Sequence, residues 1–433
     1  MTFTNYKTKG NIIFKYFMIL PFSIFTVISV GEEYRGIEWM GVPINIQYVI
    51  FAILVFALLV IFTKAIRGIK IDKITTALIA RDAAVLLSFI NYESTIIEFI
   101  YSGYFSMVFG SVVYIVAINS YREGIEKFIH KVFIVMFIAV AFQVVITLVV
   151  SIAEGVSSST LKTRMVIPLG ASNSIAMGLS MLGIYVLLQI KNGSVRKILT
   201  VAAVVIISLT LSSGAMISLV IVITLYYFDK VRNNYLKVVL VISAILLGII
   251  MIAMPTERSE IMRDDENLFE SYRYTTGQLR ARQYYMASHG RFDIYRIYLM
   301  KVVDKPIVGH GYYKHVSKMG INAHNFIISE LYTGGIATCG ILIYILVTIF
   351  RTLRRYIGKD NVIRGVYYSC IYLVVHSFIE PGLLGYQKGF LFWIIVAIGM
   401  GRIRHLLVSS TKNDVEPTHQ VESGSRASIP VEP

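Results

Sequence analysis

Apolar runs of roughly 15 to 25 residues follow one another along the whole chain, separated by short polar stretches rich in Lys and Arg. A helix of about 20 apolar residues spans a bilayer, so each run predicts a membrane helix. The runs lie near residues 11–30, 46–63, 74–92, 104–119, 132–152, 173–190, 198–228, 238–254, 326–350, 361–380 and 387–401. The run 198–228 has Arg196 and Lys197 before it and Lys230 and Arg232 after it. Basic flanks mark the cytoplasmic side, so both of its ends belong there. It must therefore double back as two short helices, turning near Leu211, Ser212, Ser213 and Gly214. The pattern predicts an all-α, polytopic membrane protein with about 12 transmembrane helices.

The basic loops orient this array. Lys7 and Lys9 hold the start of the first run inside, and that run lacks an Ala-x-Ala cleavage site, so it reads as a span and not as a signal peptide. The loops Lys64 to Lys73, Tyr121 to Lys131, Lys191 to Lys197, Asp229 to Lys237 and Arg351 to Lys359 then all fall on the cytoplasmic side, as do both termini. The expected organisation is nine N-terminal spans within 1–254, a large extracytoplasmic loop at 255–325, three C-terminal spans within 326–405 and a disordered tail at 406–433.

Composition narrows the class. With 56% apolar and 15% charged residues and a mean hydropathy of +0.67, a water-soluble enzyme is excluded. The net charge of +15 would point to nucleic acid in a soluble chain. Here the cations sit beside apolar runs, where topology and lipid headgroups account for them, so nucleic acid is not an expected partner. The two cysteines, Cys339 and Cys370, lie in apolar runs and offer neither a disulfide framework nor a zinc cluster.

Candidate chemistry gathers in the large loop. Residues 256–325 hold 7 Arg, 4 Lys, 8 Tyr and 4 of the chain's 8 His. Long loops translocate regardless of charge, so these cations ask for an anionic partner: lipid headgroups, with Arg280 and Arg282 paired to carboxylates such as Glu270, or a phosphorylated substrate. Arg291 to Asp304 predicts a helix with Phe292, Tyr295, Tyr298, Leu299, Val302 and Val303 on one side, lying on the membrane surface. Arg291 falls within that apolar arc, a position that either snorkels into water or has an assigned partner. Pro306, Gly309, His310 and Gly311 then form a breaker-rich turn, and His324 with Asn325 stands at the outer edge of the next span. Imidazole can take a proton from a hydroxyl near neutral pH, and an amide can orient the ring or a substrate; a polar anchor at the interface is the alternative.

The order Arg291, aromatic-rich helix, Pro306, Gly309-x-Gly311, then His324-Asn325 before a span with Gly334 and Gly335 resembles the O-antigen ligase and polymerase family. The best-matching motifs run from about Ser208 to Ala397. The resemblance implies a bacterial inner-membrane glycosyltransferase acting at the outer face on oligosaccharides carried by undecaprenyl diphosphate. Its implied acceptors are another lipid-linked repeat or lipid A core, with membrane lipids and a chain-length regulator as further partners. It implies His324 as base or essential polar group, Arg291 as a diphosphate ligand, and Glu380, four residues after His376, as an acidic position near the outer edge. A second family arginine belongs in the hairpin turn, where this chain has Ser213; Arg164, Arg280 or Arg282 would then compensate.

The chemistry fits such residues. A sugar bonded through its anomeric carbon to a lipid diphosphate has a good leaving group, so the protein must align an acceptor hydroxyl, take its proton and stabilise the departing charge. Arginine forks suit diphosphate oxygens. No cofactor or metal is expected, and Asp264, Asp265 and Glu266 read as a solvated acidic patch. The single large loop leans towards a ligase, whereas Ser213 and the Gly-His-Gly turn lean towards a polymerase, which is placed first. A transporter or flippase of an anionic lipid-linked substrate is the rival from another class. It would favour mid-membrane charge and repeated bundles, whereas here no internal repeat is visible and the polar weight lies outside. Arg81 and Asp82, in the third run, are read as structural, with Arg81 snorkelling towards the nearer helix end.

Overall fold

The computed structural model describes residues 37–39, 42–44, 71–91, 105–121, 124–155, 172–210, 212–231, 233–239, 242, 291–311, 323–379 and 386–415. The first two runs, most of the run 238–254, and the loop stretches 256–290 and 312–322 lie outside the described residues. Helices stand at all the other runs. They are α1 (Lys73–Leu87, continued by a 3-10 turn Ser88–Asn91), α2 (Phe105–Ser120), α3 (Ile125–Ala153), α4 (Ser172–Gln189), α5 (Gly193–Leu209), α6 (Ser213–Lys230), α7 (Arg291–Asp304), α8 (Phe326–Tyr356), α9 (Asn361–Ser377) and α10 (Tyr386–Val415). Among the described residues, four helices are long and apolar enough to cross a membrane: Glu126–Ala153, Ser213–Lys230, Phe326–Tyr356 and Leu391–Ser409.

Two details depart from the pattern. The all-α expectation meets one exception, an antiparallel pair of three-residue strands, β1 (Ile37–Trp39) and β2 (Val42–Ile44), with Glu38 opposite Pro43. Ile37, Val42 and Ile44 are β-branched, which suits a pleated strand better than a helix. The last helix also runs on to Val415, so the tail expected to be disordered from residue 406 begins inside α10. Side-chain pairing of Arg402 and Arg404 just before that point anchors the helix where the apolar run has already ended.

Local chemistry sets where helices start. Asp72 caps α1 by accepting the Thr75 N–H at 2.7 Å, Asn192 caps α5, and Asp360 caps α9 by accepting from Val362 at 2.7 Å. The expected hairpin in 198–228 is present: α5 ends at Thr210 and α6 begins after Ser212, whose hydroxyl accepts the Ala215 N–H. α9 sits in the middle of the bundle, buried through Val366, Tyr372 and Leu373 against α4, α6, α8 and α10. α4 runs antiparallel to it, with Ser369 donating to the Met181 carbonyl at 3.0 Å and Gly365 lying against Tyr185. The outward faces are apolar. On α3, Val135, Ile138, Phe142 and Val149 form an exposed stripe, and Ile198, Val201 and Val205 do the same on α5, as helices facing lipid require.

Ion pairs gather at one end of the bundle. Asp72 accepts from Arg404 at 2.8 Å and from the Tyr114 hydroxyl at 2.8 Å. Arg402 bridges Asp360 at 3.0 Å and Glu126 at 3.2 Å, while Arg354 and the Tyr368 hydroxyl hold Asp229. These contacts bring the loop ends near residues 72, 126, 229, 354 and 360 to one side, as the basic-loop pattern expects. The Asn91 end of α1, the α5–α6 turn, the start of α8 and the end of α9 all lie at the opposite end.

Candidate functional site

The site begins with a broken helix. Gly335 interrupts α8 with φ 70° and ψ −171°, a conformation open essentially to glycine alone. In an unbroken helix the N–H groups of Ile336 and Ala337 would bond to Tyr332 and Thr333. They donate instead to the carbonyls of Pro306 (2.8 Å) and Ile307 (3.3 Å). The freed carbonyls of Tyr332 and Thr333 accept from the N–H groups of His310 (2.8 Å) and Gly311 (2.9 Å). The turn 306–311 is thus spliced into the helix, and these four backbone groups find new partners, as a membrane interior demands. Gly309 and Gly311 both take positive φ here, at 67° and 92°. A Cβ on Gly309 would collide with the Thr333 backbone, and one on Gly335 with the Ile307 carbonyl. Asn91 at the end of the α1 turn donates to the Gly309 carbonyl at 2.8 Å.

α7 packs on the same segment. Tyr298 is buried edge-on against Tyr332, ring centroids 4.9 Å apart, with Ile294, Val302, Ala323 and Ile328 around them. Burial, with Tyr332 beside it, pushes the Tyr298 phenol above its usual range, so it stays uncharged. The expected apolar arc is therefore corrected. Tyr298 and, in part, Val302 face α8, whereas Leu299, Met300 and Val303 are exposed. The helix rests on α8 through one side and leaves Leu299, Met300 and Val303 exposed on another. His310 also stacks on Tyr332, ring centroids 4.6 Å apart, and its Nε2 lies 2.7 Å from the Lys301 carbonyl. A carbonyl only accepts, so Nε2 carries the hydrogen.

His324 and Asn325 stand where these parts meet. Asn325 caps α8, its side-chain oxygen accepting from Ile327 (3.0 Å) and Ile328 (3.2 Å), while its amide nitrogen donates to the Phe378 carbonyl at 3.4 Å. The Tyr295 hydroxyl of α7 reaches both the His324 and the Phe378 carbonyls at 3.4 Å. Phe326 packs edge-on against Phe378, 4.9 Å between centroids. Ile379, the next residue, touches Gly214 in the first turn of α6. The loop helix, the broken helix, the end of α9 and the hairpin turn thus converge on one edge. His324 is the one non-glycine residue with positive φ among the described residues, at 49°. Such backbone strain persists where the surroundings enforce it, and it gathers at functional sites.

Of the other expected site residues, Gly309 and Gly311 form the splice, and Ser213 is the exposed first residue of α6, beside the capping Ser212. Arg291 opens α7 one turn before Tyr295, and its side chain lies outside the described residues. Arg164, Arg280, Arg282 and Glu380 lie outside them too. The sequence pattern does not place Tyr295, Glu330 or Phe378 at the site. Only Glu330 carries a signal of its own, as a carboxylate inside an apolar run.

Glu330 also corrects the reading of Arg81. Arg81 does not snorkel. Its Nε (3.0 Å) and Nη2 (2.8 Å) both donate to Glu330 Oε1, with both side chains buried. Removing one partner of such a pair would cost about 3–5 kcal/mol, whereas replacing both by apolar groups is often neutral.

Residues 198–345 match the family model described as O-antigen ligase. The matched stretch runs from the α5–α6 hairpin through α7 and the splice into α8, and it contains Ser213, Arg291, Gly309, Gly311, His324 and Asn325. No curated protein matches the chain.

Proposed function

We propose that this chain, which over residues 198–345 is similar to the O-antigen ligase family, polymerises oligosaccharide repeats carried on undecaprenyl diphosphate at the outer face of the bacterial inner membrane. The carrying observation is the strained His324 beside Asn325, held between α7, α8 and α9 at the end opposite the ion-pair cluster. In this reading His324 takes the proton of an acceptor hydroxyl, whose oxygen bonds to the anomeric carbon of the donor sugar. The bond from that carbon to the diphosphate breaks, and the lipid diphosphate leaves with the electron pair. Arg291, with Arg164, Arg280 or Arg282, holds the diphosphate. The exposed N-terminus of α6 at Ser213 adds favourable N–H groups where the family arginine is replaced. Asn325, Glu380, Gly309 and Gly311 complete the substrate edge. The organisation proposed is nine spans before the loop, three after it, and cytoplasmic termini.

A second reading, a ligase that transfers the finished glycan to lipid A core or another acceptor, is favoured by the match of residues 198–345 to the O-antigen ligase family model. Glycans from a deletion strain, complemented with wild type or His324→Ala, test both. Acceptors carrying a single repeat mean polymerase. Long chains stranded on the diphosphate carrier mean ligase, and failure of His324→Ala to rescue at normal abundance places the chemistry at His324. Normal glycans in the deletion strain would remove the transferase reading and favour a transporter.

A further inference from the structure

The residues that carry His324 sit on a helical segment isolated at both ends. His324 at φ 49° precedes it and Gly335 at φ 70° ends it, leaving 326–334 between two left-handed residues. Chain continuity therefore does not set its direction; lateral contacts must. Some of those contacts are backbone bonds to the 306–311 turn and ring packing from α7 and from Phe378 at the end of α9, and α1 packs along α8 from a distant part of the chain. The α1 contact includes a charged pair. Arg81 in α1 grips Glu330 in the middle of the segment, and Asn91, at the end of the same helical arm, grips Gly309 in the spliced turn at 2.8 Å. One arm thus holds both halves of the splice, and it lies outside the matched stretch 198–345.

We infer that Arg81 is a positioning residue: through its buried pair with Glu330 it sets the placement of segment 326–334 and hence of His324 and Asn325. Resting on the transferase reading for its functional arm, the inference also has a structural arm of its own. A buried ion pair contributes little net stability compared with apolar residues of similar size, so direction, more than strength, is what the pair supplies. A charge-assisted bond from a rigid guanidinium fixes direction well.

The test uses the full chain with Arg81→Met and Glu330→Met combined, and separately Arg81→Lys, which keeps the charge and loses the fork. Membrane abundance, hydrogen exchange in lipid nanodiscs and glycan product per molecule are read together. The double variant is expected at wild-type abundance, with faster exchange confined to peptides covering 323–334, unchanged exchange in 361–377 and product lowered by about a hundredfold, the scale of a small misplacement of a reacting group. Arg81→Lys is expected to give an intermediate product level. Unchanged exchange, with or without product loss, would overturn the inference, and so would a loss of abundance in both variants. If the deletion strain makes normal glycans, the transferase reading falls, while faster exchange in 323–334 still upholds the positioning role.

Discussion

Gly309 and Gly335 meet backbone to backbone: the Gly309 nitrogen lies 2.7 Å from where a Cβ on Gly335 would stand. The contact is possible only because neither residue has a side chain, and it lets a turn from the loop complete the hydrogen bonding of a broken membrane helix.

Gly335→Ala should therefore destabilise the protein. Left-handed strain and the collision with Ile307 together predict a loss of about 2–6 kcal/mol. Gly340 offers an internal control on the same helix, since a Cβ there meets nothing within 4 Å. Gly340→Ala should stabilise by about 0.5–1 kcal/mol. Thermal unfolding of the two variants in one detergent should show opposite shifts; shifts of the same sign would mean that the splice is not rigid.

At His324 the backbone and the ring can be separated. Glycine takes φ 49° without strain, so His324→Gly should fold at least as stably as wild type, with a gain of about 1 kcal/mol. It should nevertheless lose product as completely as His324→Ala. Retained product in the glycine variant would assign the residue to the turn and not to the chemistry.

The cap at Asn325 predicts a graded pair. Asn325→Ala loses the acceptor for the Ile327 and Ile328 amides and should cost about 1 kcal/mol. Asn325→Asp keeps that acceptor and should retain most of the stability, while losing the donor to Phe378. Equal losses in the two variants would show that the bond to Phe378 outweighs the cap.

Orientation can be read by thiol labelling, because Cys339 and Cys370 are buried and give little background. In intact cells Lys301→Cys should react with a membrane-impermeant reagent from outside, and Lys359→Cys, at the ion-paired end, should not. The reverse pattern would invert the proposed topology.

Much of the helical framework is legible in the sequence because apolar run length and basic flanks are local properties. The doubling back of 198–228 at Ser212 follows from run length and flanking charge alone. The α7 orientation is less legible: a helical wheel shows that an apolar side exists, but Tyr298 turns inward and Val303 outward only because α8 offers Tyr332 as a partner.

The sequence by itself determined the helices that stand at its described apolar runs, the hairpin, and His324-Asn325 at the edge of α8, since each depends on residues close together in the chain. Only the tertiary structure decided that Arg81 pairs with Glu330, 249 residues away, that the 306–311 turn repairs α8, and that Tyr295 and Phe378 meet at His324. Inside a bundle that faces lipid, buried polar groups must find partners wherever packing brings them. Which groups meet is set by how the helices lie against one another, a property that no local pattern encodes.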